Sequence, residues 1–279
     1  MLSGDAYPTR SGDVPVSEAP LSGGAIDAAW FDAPICRNCG SPRSTPYCAQ
    51  CGQKAARRFE LRDIGKESWD RLRYFEAKSL KTIVRLVVTP GTVARDYVLG
   101  RRATYMHPLS LLVVLVALLV VMLAANRYFG QYGFADRDVD RMADRVMIYA
   151  NWSFSLGIVA VFVASWSVFR RRLGYNAVEH AVLAVFVQTV ILAAIIVNMV
   201  PTMIWSDPAF VAAHRAASQH YLYGIKLAIV AMAFRQFFLL RVRSEWPRLL
   251  LAGLVFVGTS WLLLRVYAAA ILWLVSRTA

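Results

Sequence analysis

Outside one short stretch this chain has no cysteine: all four fall in "CRNCGSPRSTPYCAQCG", residues 36–52, which excludes a disulfide framework spread over the fold. Carboxylates are sparse as well, with 18 Asp+Glu against 31 Lys+Arg in 279 residues and a net charge of +13. Phosphate-loop, nucleophile-elbow and HExxH patterns are missing, and no base stands near a nucleophile in a definable site, so the sequence argues against an enzyme. Residues 1–34 have no apolar period and are rich in Gly, Pro, Ser and Asp, which predicts a disordered tail. They also lack a basic segment followed by an apolar one, which argues against a cleaved signal peptide and for an N-terminus kept in the cytoplasm.

What the chain does have is apolar mass. Hydrophobic residues make up 57% of it and the mean hydropathy is +0.45, which points to a membrane protein rather than a soluble domain. Five segments qualify against the roughly 20 apolar residues that a helix needs to cross a bilayer: 108–125, 152–169, 181–204, 221–240 and 249–275. The first contains no ionisable group; the fourth is the weakest, because Lys226 and Arg235 interrupt it. The charge of the connections gives an independent check, since Lys and Arg accumulate on the cytoplasmic side. Fifteen lie between Arg37 and Arg102, Arg170, Arg171 and Arg172 follow the second segment, and Arg241, Arg243 and Arg248 follow the fourth. The other connections are poor in net positive charge: residues 126–151 balance four Arg with four Asp, and 205–220 hold only Arg215. This alternation needs all five spans and predicts an N-terminus inside and a C-terminus outside a bacterial inner membrane. Trp152, Trp205, Tyr221 and Tyr223 fall at outer interfaces and Trp246 at an inner one.

The cysteines form two Cys-x-x-Cys knuckles, Cys36/Cys39 and Cys48/Cys51, each followed by glycine, a spacing that presents four thiolates to one tetrahedral ion. Four sulfurs leave no open coordination position, so the expected ion is structural zinc, with iron the less favoured alternative. Disulfides fit poorly with a cytoplasmic location. The segment is too poor in apolar residues to fold without a metal. Such a ribbon is expected to dock an unidentified protein. The basic residues around it are expected to meet the anionic headgroups of the inner leaflet rather than nucleic acid.

Between ribbon and membrane, Leu61, Ile64, Trp69, Leu72, Phe75, Ile83, Leu86 and Val87 fall on one helical face, while Lys66, Arg71, Arg73, Lys78, Lys81 and Arg85 fall on the other. This predicts an amphipathic helix that ends near Val88, before Pro90, and a second short helix over 92–99. The first helix either lies flat on the inner leaflet or packs against the bundle or a second subunit. The order "CRNCG…YCAQCGQ", an amphipathic stretch, then "TPGTVARDYVLGRRATYMHPLSLL" resembles a family of uncharacterised bacterial membrane proteins, a domain of unknown function, across roughly residues 36–125. The resemblance implies a zinc ribbon held at a membrane and no particular activity.

The fold class expected is therefore an all-α membrane protein with about five transmembrane helices, preceded by a zinc ribbon and an amphipathic helix. Its divisions are a tail (1–34), the ribbon (35–53), juxtamembrane helices (59–106) and a transmembrane domain (107–279). Within the spans, Lys226 and Arg265 are expected at similar depth without an acid to pair with them. They either snorkel to outer-leaflet phosphates or form a cationic pocket for an anionic lipid or solute. A proton relay is disfavoured, because no carboxylate or histidine lies at mid-membrane. Asp136, Asp138 and Asp140 suggest a calcium loop, but Arg141 and Met147 stand where glycine and glutamate are required, so a short ion-paired helix is expected instead.

Overall fold

The computed structural model describes residues 26, 28–60, 78–125, 153–205 and 207–278. Among them all regular structure is helical, apart from two isolated β-bridges in the cysteine module. The helices are α1 (Ala28–Asp32), α2 (Lys78–Val88), α3 (Pro90–Val98), α4 (Pro108–Ala125), α5 (Ser153–Phe169), α6 (Ala177–Ile204), α7 (Pro208–Phe237) and α8 (Val242–Thr278). The aspartate-rich loop and Leu61, Ile64, Lys66, Trp69, Arg71, Leu72, Arg73 and Phe75 of the amphipathic stretch lie outside the described residues.

Among the described residues the five apolar segments fall in five helices, of which two are long and apolar enough to cross a membrane: Ala177–Ile204 and Val242–Leu274. This corrects the five-span expectation at the level of length and composition. α4 and α5 carry no ionisable residue; their described parts, which border residues outside the description, have 18 and 17 residues. α7 is long enough at 30 residues but begins at Pro208, thirteen residues before the expected Tyr221. That added half carries His214, Arg215 and His220, which dilute its hydropathy. Asp207 starts it, accepting from Phe210 N at 2.9 Å, with Pro208 in the first turn.

α6 is the centre of the bundle, packed by α2, α3, α4, α5 and α7, while α8 leans on α5 and α7. Its start is set by a capping box, in which the Asn176 side chain accepts from Glu179 N and the Glu179 carboxylate accepts from Asn176 N. The helix therefore begins four residues before the expected Ala181. The apolar window of α6 is 67% buried inside the protein, whereas that of α8 is 11% buried, so α8 presents its Leu, Val and Trp side chains outward.

The chain turns where expected at Thr89–Pro90, but Pro90 itself opens α3, since a proline in the first turn forfeits no helical hydrogen bond. α3 is buried along nearly its whole length, wedged between α6 and α7. Gly91 permits this: a Cβ there would lie 2.0 Å from Ala233 O, and its amide instead donates to Gln236 Oε1 at 2.9 Å. α2 packs through Leu86, which is buried, and leaves Ile83, Val84, Val87 and Val88 exposed. Within the described end of the segment 1–34 the chain makes specific contacts. Ile26 and Phe31 are buried, α1 is helical, and Ile26 N donates to Leu173 O at 3.1 Å.

Candidate metal centre

Each knuckle is the same local object. Cys36 N donates to Ser41 O and Gly40 N to Cys36 O; Cys48 N donates to Gln53 O and Gly52 N to Cys48 O, all within 2.8–2.9 Å. Gly40 and Gly52 have φ of 75° and 70°, a left-handed turn that disfavours a side chain. The bridges Ile35↔Pro42 and Tyr47↔Lys54 close the two turns.

The two knuckles face one another. Cys36 Sγ lies 3.6 Å from Cys51 Sγ and Cys39 Sγ lies 3.5 Å from Cys48 Sγ, and all four sulfurs fall within 4.8 Å of each other. A tetrahedral shell with metal–sulfur bonds of about 2.3 Å spaces its sulfurs about 3.8 Å apart, whereas a disulfide needs about 2.05 Å. The four free cysteines are thus placed to hold a metal ion, and the geometry fits four-thiolate ligation. Burial disfavours the thiolate at Cys36, Cys39 and Cys51. At Cys39 hydrogen bonding with Ser41 and the neighbouring sulfurs outweighs burial and lowers the thiol to about 6, while Cys51, crowded by Cys36 and Cys39, is pushed up to about 12.

The module is clamped to the bundle by both knuckles. Gln53 Nε2 donates to Gly100 O at 2.7 Å, and Gln53 Oε1 accepts from Arg102 N and Ala103 N at 3.1 and 2.9 Å. Asn38 Oδ1 accepts from Thr104 Oγ1 at 2.7 Å. The Arg37 guanidinium lies 3.8 Å over the Trp30 ring, and Trp30 Nε1 donates to Leu99 O at 3.2 Å. These contacts converge on the turn between α3 and α4. Further along, Arg102 stacks 3.7 Å over Phe59, and Arg58 donates to Glu179 Oε1 and Oε2 at 3.2 and 3.3 Å, to Ile26 O at 3.1 Å and to Gly174 O. Beside the turn, Tyr105 OH donates to Asp96 Oδ2 at 2.9 Å, and burial with that carboxylate pushes the phenol up to about 12.

The other predicted pair is not brought together. Lys226 lines an open cleft with a cavity volume of about 160 Å³ between α5, α6, α7 and α8. Arg265 is exposed on α8, stacked 5.3 Å over Trp261 of the same helix, and does not line the cleft.

Sequence reasoning missed Gln53, Arg58, Glu179 and Arg172 as structural groups. Arg172, counted as loop charge, donates to Phe238 O at 2.7 Å and Leu239 O at 3.3 Å and pairs with Glu245, tying two turns together. Leu239 itself sits at φ 52°.

A family of unknown function, "Protein of unknown function (DUF3667)", matches residues 76–120, which span α2, α3 and most of α4 and exclude the cysteines. Neither a curated protein nor a solved structure matches the chain.

Proposed function

We propose that this chain is a non-enzymatic, multi-pass inner-membrane protein whose cytoplasmic four-cysteine module holds structural zinc and serves as an assembly surface for a protein partner. The observation that carries the proposal is the closed four-sulfur set seated on the end of a helical bundle. A closed shell has no position for substrate, so the ion organises a surface rather than a reaction. The side chains of Tyr47 and Ile35, at the bridges of the two knuckles, are exposed at 59% and 45%. They supply apolar anchors amid Arg43 and Lys54, the composition expected of a protein contact more than of nucleic acid. Membrane placement is supported by α6 and α8, by the outward apolar surface of α8, and by the exposed apolar side chains of α2 beside basic residues. The zinc ribbon (35–53), the juxtamembrane helices and the bundle act as successive units of this arrangement, in contact with anionic inner-leaflet lipid.

The test uses the full-length protein. Elemental analysis should give one zinc per chain, and in-cell cross-linking should capture a protein whose yield falls with Tyr47→Ala and with Cys36→Ser/Cys39→Ser. Cross-links unchanged in both variants would remove the docking role. Iron with a visible charge-transfer band would replace it with electron transfer.

A further inference from the structure

The cleft between α5, α6, α7 and α8 combines features that the packing of a bundle does not require. Its apolar walls include Ile191 and Ile195 from α6 and Phe256 and Leu264 from α8. Three helices also contribute polar residues to this lining: Lys226 and Tyr223 from α7, Gln188 from α6, and Ser260 from α8. Gln188 is only 3% exposed, and it reaches the cleft because residue 157 of α5 is glycine: a Cβ there would stand 2.1 Å from Gln188 Oε1. The Lys226 ammonium has no carboxylate partner among the described residues, and lies 5.4 Å from the Tyr223 ring centre. A cation–π contact at that distance compensates weakly for a charge held among apolar side chains. Its cavity volume of about 160 Å³ is below the range of about 300–1,000 Å³ typical of sites that enclose a whole small molecule, so the cleft has room for only part of a ligand, the rest of which would lie along its open side.

We propose that this cleft binds an amphiphile with one anionic headgroup, which pairs with Lys226 and bonds Gln188 and Ser260 while its hydrocarbon chain lies along Ile191, Ile195, Phe256 and Leu264. An anion supplies the counter-charge that the protein withholds, and a hydrocarbon chain matches the walls, where a small polar anion would leave apolar surface wet. A fatty-acid carboxylate and a phospholipid phosphate share this chemistry. Arg265 takes no part. The inference is independent of any partner at the cysteine module and draws on the membrane placement only for the source of the ligand.

The experiment presents purified full-length protein with oleate, oleyl alcohol, phosphatidylglycerol and phosphatidylcholine, and counts retained molecules by native mass spectrometry with titration for affinity. One anionic amphiphile per chain is expected. Retention of oleate identifies a free acid as the source, and retention of phosphatidylglycerol a bilayer lipid. Lys226→Met should weaken binding by at least about tenfold, the loss expected when one partner of a desolvated charge pair is removed. Lys226→Arg should restore most of it and Arg265→Gln should leave it unchanged, with the thermal midpoint of Lys226→Met used to establish that it is folded. Equal retention of oleyl alcohol and oleate, equal loss in Arg265→Gln, or no anion retained would overturn the proposal. The Cys36→Ser/Cys39→Ser variant should bind normally, which separates this result from the fate of the docking role.

Discussion

Glu179 shows how one residue can carry two structural tasks, as half of the capping box that starts α6 and as the buried acceptor of Arg58. Its side chain is fully buried, while that of Arg58 is 33% exposed, so the pair is only partly shielded from water. Arg58→Met should therefore destabilise the protein by about 3 kcal/mol, near the low end for stranding a buried carboxylate. The double variant Arg58→Met/Glu179→Gln should recover part of the loss, read by thermal unfolding in detergent as a double-mutant cycle. Additive losses would mean that the two groups do not interact. Gln53 makes a second test at this scale. Gln53→Ala keeps all four sulfurs and removes three hydrogen bonds to the turn after α3. Zinc stoichiometry should be unchanged and hydrogen exchange at residues 99–104 should rise, at a cost of about 1–3 kcal/mol for buried groups left unpaired. Unchanged exchange would make the module a passive appendage. The four cysteines were legible in the sequence because their geometry is local, two knuckles that need only their own turns. The partners of Gln53 and Arg58 were not, since those bonds join groups 47 and 121 residues apart and no periodicity encodes them.

Among the helices, α3 is where local sequence is least informative and packing most demanding. Its break from α2 was readable from Thr89-Pro90-Gly91, although the helix starts two residues before the expected 92, because proline opens a helix as readily as it ends one. Its burial was not readable: Arg95 and Asp96 make the segment look like a surface turn, yet both are buried beside Tyr97. The glycines give a differential prediction. Gly91→Ala would force a methyl group against Ala233 O and Phe237 N, and should cost about 1–3 kcal/mol, as overpacking does. Gly258→Ala in α8 meets nothing within 4 Å and should be neutral or stabilise by up to about 1 kcal/mol through helix propensity. Parallel thermal melts of the two variants read this difference, and equal midpoints would mean that α3 does not press on α7 as closely as the contact distances require. α7 explains why hydropathy failed at its own scale. The apolar half was found, while the polar half from Pro208 to His220 was read as a loop because nothing in it buries a continuous face; of these residues only Val211 and Ser218 are buried.

At the scale of the whole molecule, the connections with excess positive charge meet at one end of the bundle. Arg172 joins the α5–α6 turn to the α7–α8 turn, Ile26 and Arg58 bond Leu173 and Gly174, and Gln53 holds the turn before α4. Part of that charge is structural, since Arg58, Arg102 and Arg172 each have a specific internal partner. The loop pattern therefore reports a shared end through packing as well as through any bias of membrane insertion. At the opposite end, Asn198 O accepts from His214 Nε2 at 2.9 Å, and the Tyr221 hydroxyl donates to Asn198 Oδ1, fastening the polar half of α7 to α6. The lengths agree with this arrangement. α8, with 37 residues, spans about 55 Å against a hydrocarbon core of about 30 Å. Its first turns, with Arg243, Glu245 and Arg248, can then stand in the headgroup region beside Arg172 while the apolar run from Leu249 crosses. If the cysteine module lies in the cytoplasm, a periplasm-active reporter fused after Ala279 should be active, whereas fusions after Arg172 or Arg243 should be silent. Activity at Arg172 together with silence at Ala279 would invert the orientation and move the thiols to an oxidising compartment, where disulfides would compete with zinc. Silence at all three positions would mean that α8 does not cross, and that its outward apolar surface is covered by protein instead of lipid.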